Sequence, residues 1–238
     1  MSGAEQALIA SSDDELRWFN TRFAAAPATE PLQALLRECY PGRAALVSSF
    51  GAEAAVTLRL ATLVEPRLPV IFLDTGKHFA ATLAYVEQLQ QRLGLADLRI
   101  LRPVSLELTA RDPYGLLHRS DPDRCCELRK LAPLQSALRG FDAWITGRKR
   151  AHGGARRALP LADRDRAGRL RINPLWDWDA ARIDAFMREH DLPRHPLQAE
   201  GYSSVGCEPC TARSSAAAAP RGGRWQGRPK SECGIHML

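Results

Sequence analysis

The segment LPVIFLD (68–74) narrows the fold more than any other. It is an unbroken apolar run, too short for a membrane and too continuous for a strand with one wet face. A strand that is apolar on both sides must be covered on both sides, as in a parallel sheet held between helices. AALVSSF (44–50) is a second such run. AEAAVTLRLATLV (52–64) and HFAATLAYVEQLQQRLG (78–94) carry apolar residues at helical spacing, and Gly94 is placed to cap the latter. ADLRILRPV (96–104) and DAWITG (142–147) supply third and fourth strands. CCELRKLAPLQSALRG (125–140) reads as helix that Pro133 should kink or split. This succession predicts an α/β fold, a mostly parallel sheet with helices on both faces.

Beyond residue 150 the texture changes. AHGGARRALPLADRDRAGRLR (151–171) is expected to be loop with a short hairpin, and WDWDAARIDAFMREHD (176–191) a helix with an acidic start. From Thr211 to Lys230 the chain is mainly Ser, Ala, Gly, Pro and Arg. The expected organisation is therefore an α/β domain over 1–210 and a mobile C-terminal arm over 211–238. A length of 238 residues fits that division, at ~150 residues per domain. No apolar run reaches the ~18 residues of a membrane helix. The mixed, acidic N-terminal stretch MSGAEQALIASSDDELRW does not read as a secretory signal, so a cytoplasmic protein is expected.

The chain carries 33 Lys+Arg against 27 Asp+Glu, a net charge of +6. That excess suits nucleic acid or a small polyanion equally. The arginines separate the two. Arg148, Arg150, Arg156, Arg157, Arg221, Arg224 and Arg228 lie on loops and the tail rather than on one helix face. Such a distribution suits closure around a small anion, whose oxygens guanidinium forks bind bidentately. The loop Ser48-Ser49-Phe50-Gly51 joins the first strand to its helix, where small residues let N–H groups and hydroxyls face an anion. The same residues would also serve as an ordinary turn. No GK[ST] follows, so this is not a Walker loop.

Six cysteines remain. Cys39 sits on the apolar face of LQALLRECY and is a core residue. Cys125-Cys126 and Cys207-x-x-Cys210 form two close pairs, the composition of a four-sulfur zinc or iron–sulfur site. The vicinal pair favours a cluster, whose separate irons can each take one neighbour; inert buried cysteines with a chance CxxC are the alternative. Cys233 lies near the C-terminus between Lys230 and His236, a setting that favours the thiolate.

Taken together, SSFGAEAAV, LDTGKHF, CCELRKLAPL, TGRKRAHGGARRALP, INPLWDWD, HPLQAEGYSSVGCEPCT and KSECGIH occur in the order found in the assimilatory sulfonucleotide reductases, and the chain resembles that family from about residue 44 onward. It is most like the cluster-containing adenosine 5′-phosphosulfate reductases. The resemblance implies an adenine-nucleotide α-hydrolase-like (PP-loop type) sheet. It also implies reduction of adenosine 5′-phosphosulfate to sulfite and AMP, in sulfate assimilation and cysteine biosynthesis. Cys233 would attack the sulfate sulfur to give an S-sulfocysteine, which thioredoxin or a similar dithiol protein would reduce. Lys130, Arg156, Arg221, Arg224 and His236 match positions that neutralise the sulfate. Ser48, Ser49 and Gly51 would hold the phosphate side, and the Asp74-Thr75-Gly76 turn would lie near the nucleoside. Cys125, Cys126, Cys207 and Cys210 would bind one 4Fe-4S cluster.

The match departs at Ala54, where cluster-containing members usually carry an acid. The 3′-phosphorylated substrate, or use of both, is therefore the alternative. A tRNA thiolation ATPase would want SGGxDS in the first loop, and a cluster-bearing nucleic-acid regulator would want a basic recognition helix; the chain shows neither. A homo-oligomer is expected, with no nucleic-acid or membrane partner.

Overall fold

A computed structural model describes residues 11–214, 220–228 and 230–237 of the chain. β1 (Ala44–Ser48), β2 (Val70–Leu73), β3 (Leu98–Leu101), β4 (Ala143–Thr146), β5 (Ala162–Arg164) and β6 (Leu170–Ile172) form one sheet. Their order is β3-β2-β1-β4-β6-β5, and every neighbouring pair is parallel except β5 with β6. The expected parallel sheet is thus present, and the hairpin expected in 151–171 is β5–β6.

The pleat sorts the strand residues between two cores. Leu46, Val70, Phe72, Ala143 and Ile145 face α1 (Ser12–Arg22), α2 (Thr29–Gln33), α3 (Ala54–Val64) and α4 (Ala80–Leu93). The intervening Ala45, Val47, Ile71, Leu73 and Trp144 face Leu134, Leu138 and Phe141 on the other side. Because both sets are apolar, the central strands read as continuous hydrophobic runs. Among the described residues, no helix is long and apolar enough to cross a membrane.

Two helices differ instructively from expectation. The chain stays helical through 122–140, passing from α (Pro122–Cys126) to a π stretch (Glu127–Leu131) and back to α (Ala132–Ala137), with a final 3-10 turn. Pro133 can neither donate to the preceding turn nor fit closely against it, and widening that turn accommodates it without a break. The helix expected over 176–191 spans Ala180–Glu189. Residues before it form turns, and the Asp179 carboxylate accepts from the Arg182 N–H at 2.8 Å, setting the start.

Strand order reverses at β1 and β4. The chain builds outward from β1 through β2 to β3, then returns to lay β4 on β1's other side. A crevice opens at the carboxyl ends of strands at such a point, and ligands bind there in open α/β sheets. Phe72 braces it from below: it is 1% exposed and meets Phe50 of the first loop edge-on at 5.3 Å. Phe72→Ala should cost about 3–5 kcal/mol, read as a lowered denaturant midpoint.

Candidate active site

A cavity of about 380 Å³ lies at this switch point. Ser48, Ser49 and Gly51 border it from the end of β1 and the first loop, Leu73 from the end of β2, His78 from beyond it, and Thr146 to Lys149 from the end of β4. The first loop owes its shape to Phe50, whose positive φ of 47° turns the ring into the core. Ser48 Oγ accepts from the Phe50 N–H at 3.1 Å and fixes that turn. Gly51 is required by close approach: a Cβ there would stand 3.1 Å from the Val205 carbonyl oxygen.

Glu53, at the N-cap of α3, also lines the cavity. Its carboxylate accepts from Lys149 Nζ at 2.6 Å and pairs with His152 Nε2 at 3.3 Å. Burial alone would raise its pKa, but these partners hold it below the usual range. The His152 tautomer follows from its surroundings. Nδ1 lies 2.9 Å from an Arg156 nitrogen and must accept, so Nε2 carries the proton toward Glu53. Burial and the adjacent Arg156 and Lys149 keep this ring's pKa low.

The tail reaches the cavity, bringing Arg221, Arg224, Glu232, Cys233 and His236 to its lining. Arg156 donates through Nε and a terminal nitrogen to the two Glu232 oxygens, at 2.7 and 2.8 Å. Arg221 donates to the Ser231 carbonyl at 3.0 Å and lies 3.4 Å from Glu232. Burial and the Arg156 charge lower its pKa to about 10. Deeper in, Asp163 pairs with both Arg148 and Arg171, at 2.8 and 2.6 Å. His236 stacks on Trp144 with ring centroids 6.1 Å apart. Burial, then Arg156, Arg148, Arg171 and Arg221, push its pKa well down, and its buried Nδ1 has no partner.

Cys125, Cys126, Cys207 and Cys210 border a second, smaller cavity. Lys130, Arg224 and Trp225 line both cavities and form the wall between them. The turn after β2 organises the thiols. Lys77 O accepts from the Glu208 N–H at 2.8 Å, His78 bridges Cys207, and Thr75 Oγ1 lies 3.3 Å from Cys207 Sγ. Arg129 joins the cysteine helix to the same turn, donating to Thr75 O at 2.8 Å and to Asp112 at 2.6 Å. Trp225 closes the cavity at 3% exposure. Burial pushes the Cys126 thiol up to about 12, whereas Lys130 draws Cys207 down against its burial. Burial would lower the Lys130 pKa, but Cys207, Cys233 and Cys126 raise it. No disulfide joins the cysteines.

Most residues singled out in the sequence therefore border one of two adjoining cavities. Asp74 stands apart from both linings; its carboxylate accepts from the Gly76 N–H at 3.0 Å and from Arg102 at 2.9 Å, shaping the turn. Glu53, Lys149, His152, Trp225 and Glu232 were not singled out from the sequence. Glu53 directly precedes Ala54, so an acid reaches the cavity one position earlier than the family comparison placed it.

A cation-lined crevice at the switch point of a parallel sheet, with Cys233 on its lining, stands where open α/β sheets bind their ligands. Residues 43–213 match the phosphoadenosine phosphosulfate reductase domain. The chain is 47% identical over 196 residues to the adenosine 5′-phosphosulfate reductase of Chelativorans sp. (strain BNC1), a match covering 82% of this chain and 80% of that one. It is 38% identical over 213 residues to the phosphoadenosine 5′-phosphosulfate reductase of Gloeobacter violaceus, covering 88% of each. The crystal structure of phosphoadenylyl-sulfate (PAPS) reductase from Candida auris, a phosphate complex, matches with a TM-score of 0.73 at 26% identity, over 86% of this chain and 99% of that one. The chain belongs to the phosphoadenosine phosphosulfate reductase family, in agreement with the resemblance of its motifs.

The Asp112–Arg129 pair offers a test of how the thiol cavity is held. Asp112→Asn leaves the Arg129 charge buried and should cost about 3–5 kcal/mol at neutral pH. The Asp112 carboxyl is held below its ordinary 3.8 by Arg129 and the Leu117 N–H, against burial. A depressed acid stabilises fully above its unfolded pKa and loses that contribution as pH falls through the folded one. In denaturant titrations the gap between wild type and variant should therefore narrow below pH 3.8.

Proposed function

We propose that this protein reduces adenosine 5′-phosphosulfate to sulfite, releasing AMP, with thioredoxin or a similar dithiol protein as reductant. The observation that carries this reading is the position of Cys233: it borders the same cavity as the Ser48–Gly51 loop and the cations Lys130, Arg156, Arg221 and Arg224. A sulfate sulfur is shielded by negative oxygens, and a thiolate reaches it only where positive charge offsets them.

In the first step the Cys233 thiolate forms a bond to that sulfur. The bond from sulfur to the bridging oxygen breaks, and its electron pair leaves with AMP. In the second, a dithiol thiolate attacks Cys233 Sγ and expels sulfite with the electrons of the S–S bond. The partner's other thiol resolves the mixed disulfide, restores Cys233 and completes the two-electron balance. Ser48, Ser49 and Gly51 hold the phosphate side at the positive end of α3. Glu53 already engages Lys149 and His152, so these do not add to the cations open to a 3′-phosphate, which favours the unphosphorylated substrate.

Cys125, Cys126, Cys207 and Cys210 suit a 4Fe-4S cluster by their donor chemistry: all four thiols border one cavity. Among the described residues no group of three or more His, Cys, Asp or Glu is already drawn together as a metal site. When bound, the cluster would supply a fixed charge beside Lys130 and join the cysteine helix to the CxxC loop.

Anaerobic sulfite release with thioredoxin, compared between the two sulfonucleotides, tests the reading. Preference for the unphosphorylated one is expected, and preference for its 3′-phosphorylated form would reassign the substrate. Cys233→Ser should lower the rate about a thousandfold or more. Without reductant, wild type should gain the mass of one SO3 group on the Cys233 peptide. Cys126→Ser should lose bound iron and visible absorbance; unchanged iron would remove the cluster assignment.

A further inference from the structure

We infer that Glu232 is a built-in occupant of the substrate's anion subsite, and that the arriving anion displaces it to free the neighbouring Cys233. This rests on the reading that the cavity takes a sulfonucleotide. Arg156 spends its whole fork internally, with two nitrogens on Glu232 and the third on His152. Arg221 approaches the same carboxylate, 3.4 Å from the oxygen that an Arg156 terminal nitrogen also engages. The side chains of Arg156 and Arg221 are only 10% and 19% exposed, so water compensates little of their charge. Without a ligand, a buried guanidinium pair needs an anion, and the tail provides one.

A carboxylate presents two oxygens in the same fork as two oxygens of a sulfate or phosphate tetrahedron. The two cannot occupy Arg156 together. The Glu232 carboxyl is held below its ordinary value by Arg156 and Arg221, despite burial, so it competes as an anion at neutral pH. The rest of the tail is tethered elsewhere: Lys230 to Asp123, and the His236 carbonyl to Arg171 at 2.9 Å. Displacement of Glu232 would therefore release one link of the strap, the one beside the half-buried Cys233, while its ends stay in place.

A latched fraction weakens apparent affinity in proportion to the competent population. In a Cys233→Ser background, Glu232→Gln should bind adenosine 5′-phosphosulfate about tenfold more tightly, while adenosine, which lacks the anion, binds unchanged. With Cys233 present and no nucleotide, Glu232→Gln should speed iodoacetamide labelling of the Cys233 peptide several-fold, and Glu232→Asp should retain the slow rate. Inorganic sulfate should accelerate labelling of wild type over chloride at equal ionic strength, and leave Glu232→Gln unaffected. Unchanged or weaker nucleotide affinity together with wild-type labelling in Glu232→Gln would overturn the inference. If the sulfonucleotide binds neither protein while labelling responds to sulfate as described, the substrate reading fails and the displaceable carboxylate stands.

Discussion

Buried positive charge sets the terms for the whole crevice. Arg148, Arg156, Arg171 and Arg221 surround His236 near the carboxyl ends of β1 and β4, and each must be compensated where water has little access. Asp163 answers Arg148 and Arg171 permanently, as part of the sheet's edge. Arg156 and Arg221 are answered by Glu232, from a tail that can be exchanged for something else. The division between fixed and exchangeable counter-charge turns a structural problem into a binding site. It also explains why a neutral His236 sits at the centre, since a further cation there would have no partner.

Lys130 and Arg224 couple this crevice to the thiols behind it. Both border the two cavities, so any charge gathered by Cys125, Cys126, Cys207 and Cys210 is felt in the larger one through side chains already there. Gly206 lets this happen at close quarters, because a Cβ at that position would collide with the Arg224 guanidinium. Trp225 lies under the Arg224 guanidinium, 4.5 Å from ring centroid to Cζ, and caps the thiols with its other contacts. One short tail segment therefore closes one cavity and charges the other.

The central strands were legible because the sheet is apolar on both faces: VIFL and AWIT have few alternatives as buried structure. β5 and β6 were harder to read, since Asp163, Arg164 and Arg171 look like a solvated basic loop and are in fact ion-paired residues of the edge strand and its neighbour. The candidate site residues stood out through chemistry and order along the chain. Their counter-charges did not, because Glu53 and Glu232 acquire meaning only from partners 96 and 76 positions away. Composition likewise hid Trp225 among small residues, although a single large ring is enough to lid a small cavity.

The π stretch at Glu127–Leu131 has a consequence for how this chain can vary in length. Upstream it presents Cys125 and Cys126 to their cavity, and downstream Leu134 and Leu138 are pinned beneath the sheet. A wide turn accommodates one residue more than a regular one, so losing a single residue there would let it close to a regular turn with both flanks near their places. Losing one from the regular turns on either side would instead rotate one end by about 100° against the other, and the vicinal cysteines and the leucines could not both stay where they are. The stretch Glu127–Leu131 is therefore the part of this helix where the chain can shorten by one residue and still keep both groups in position.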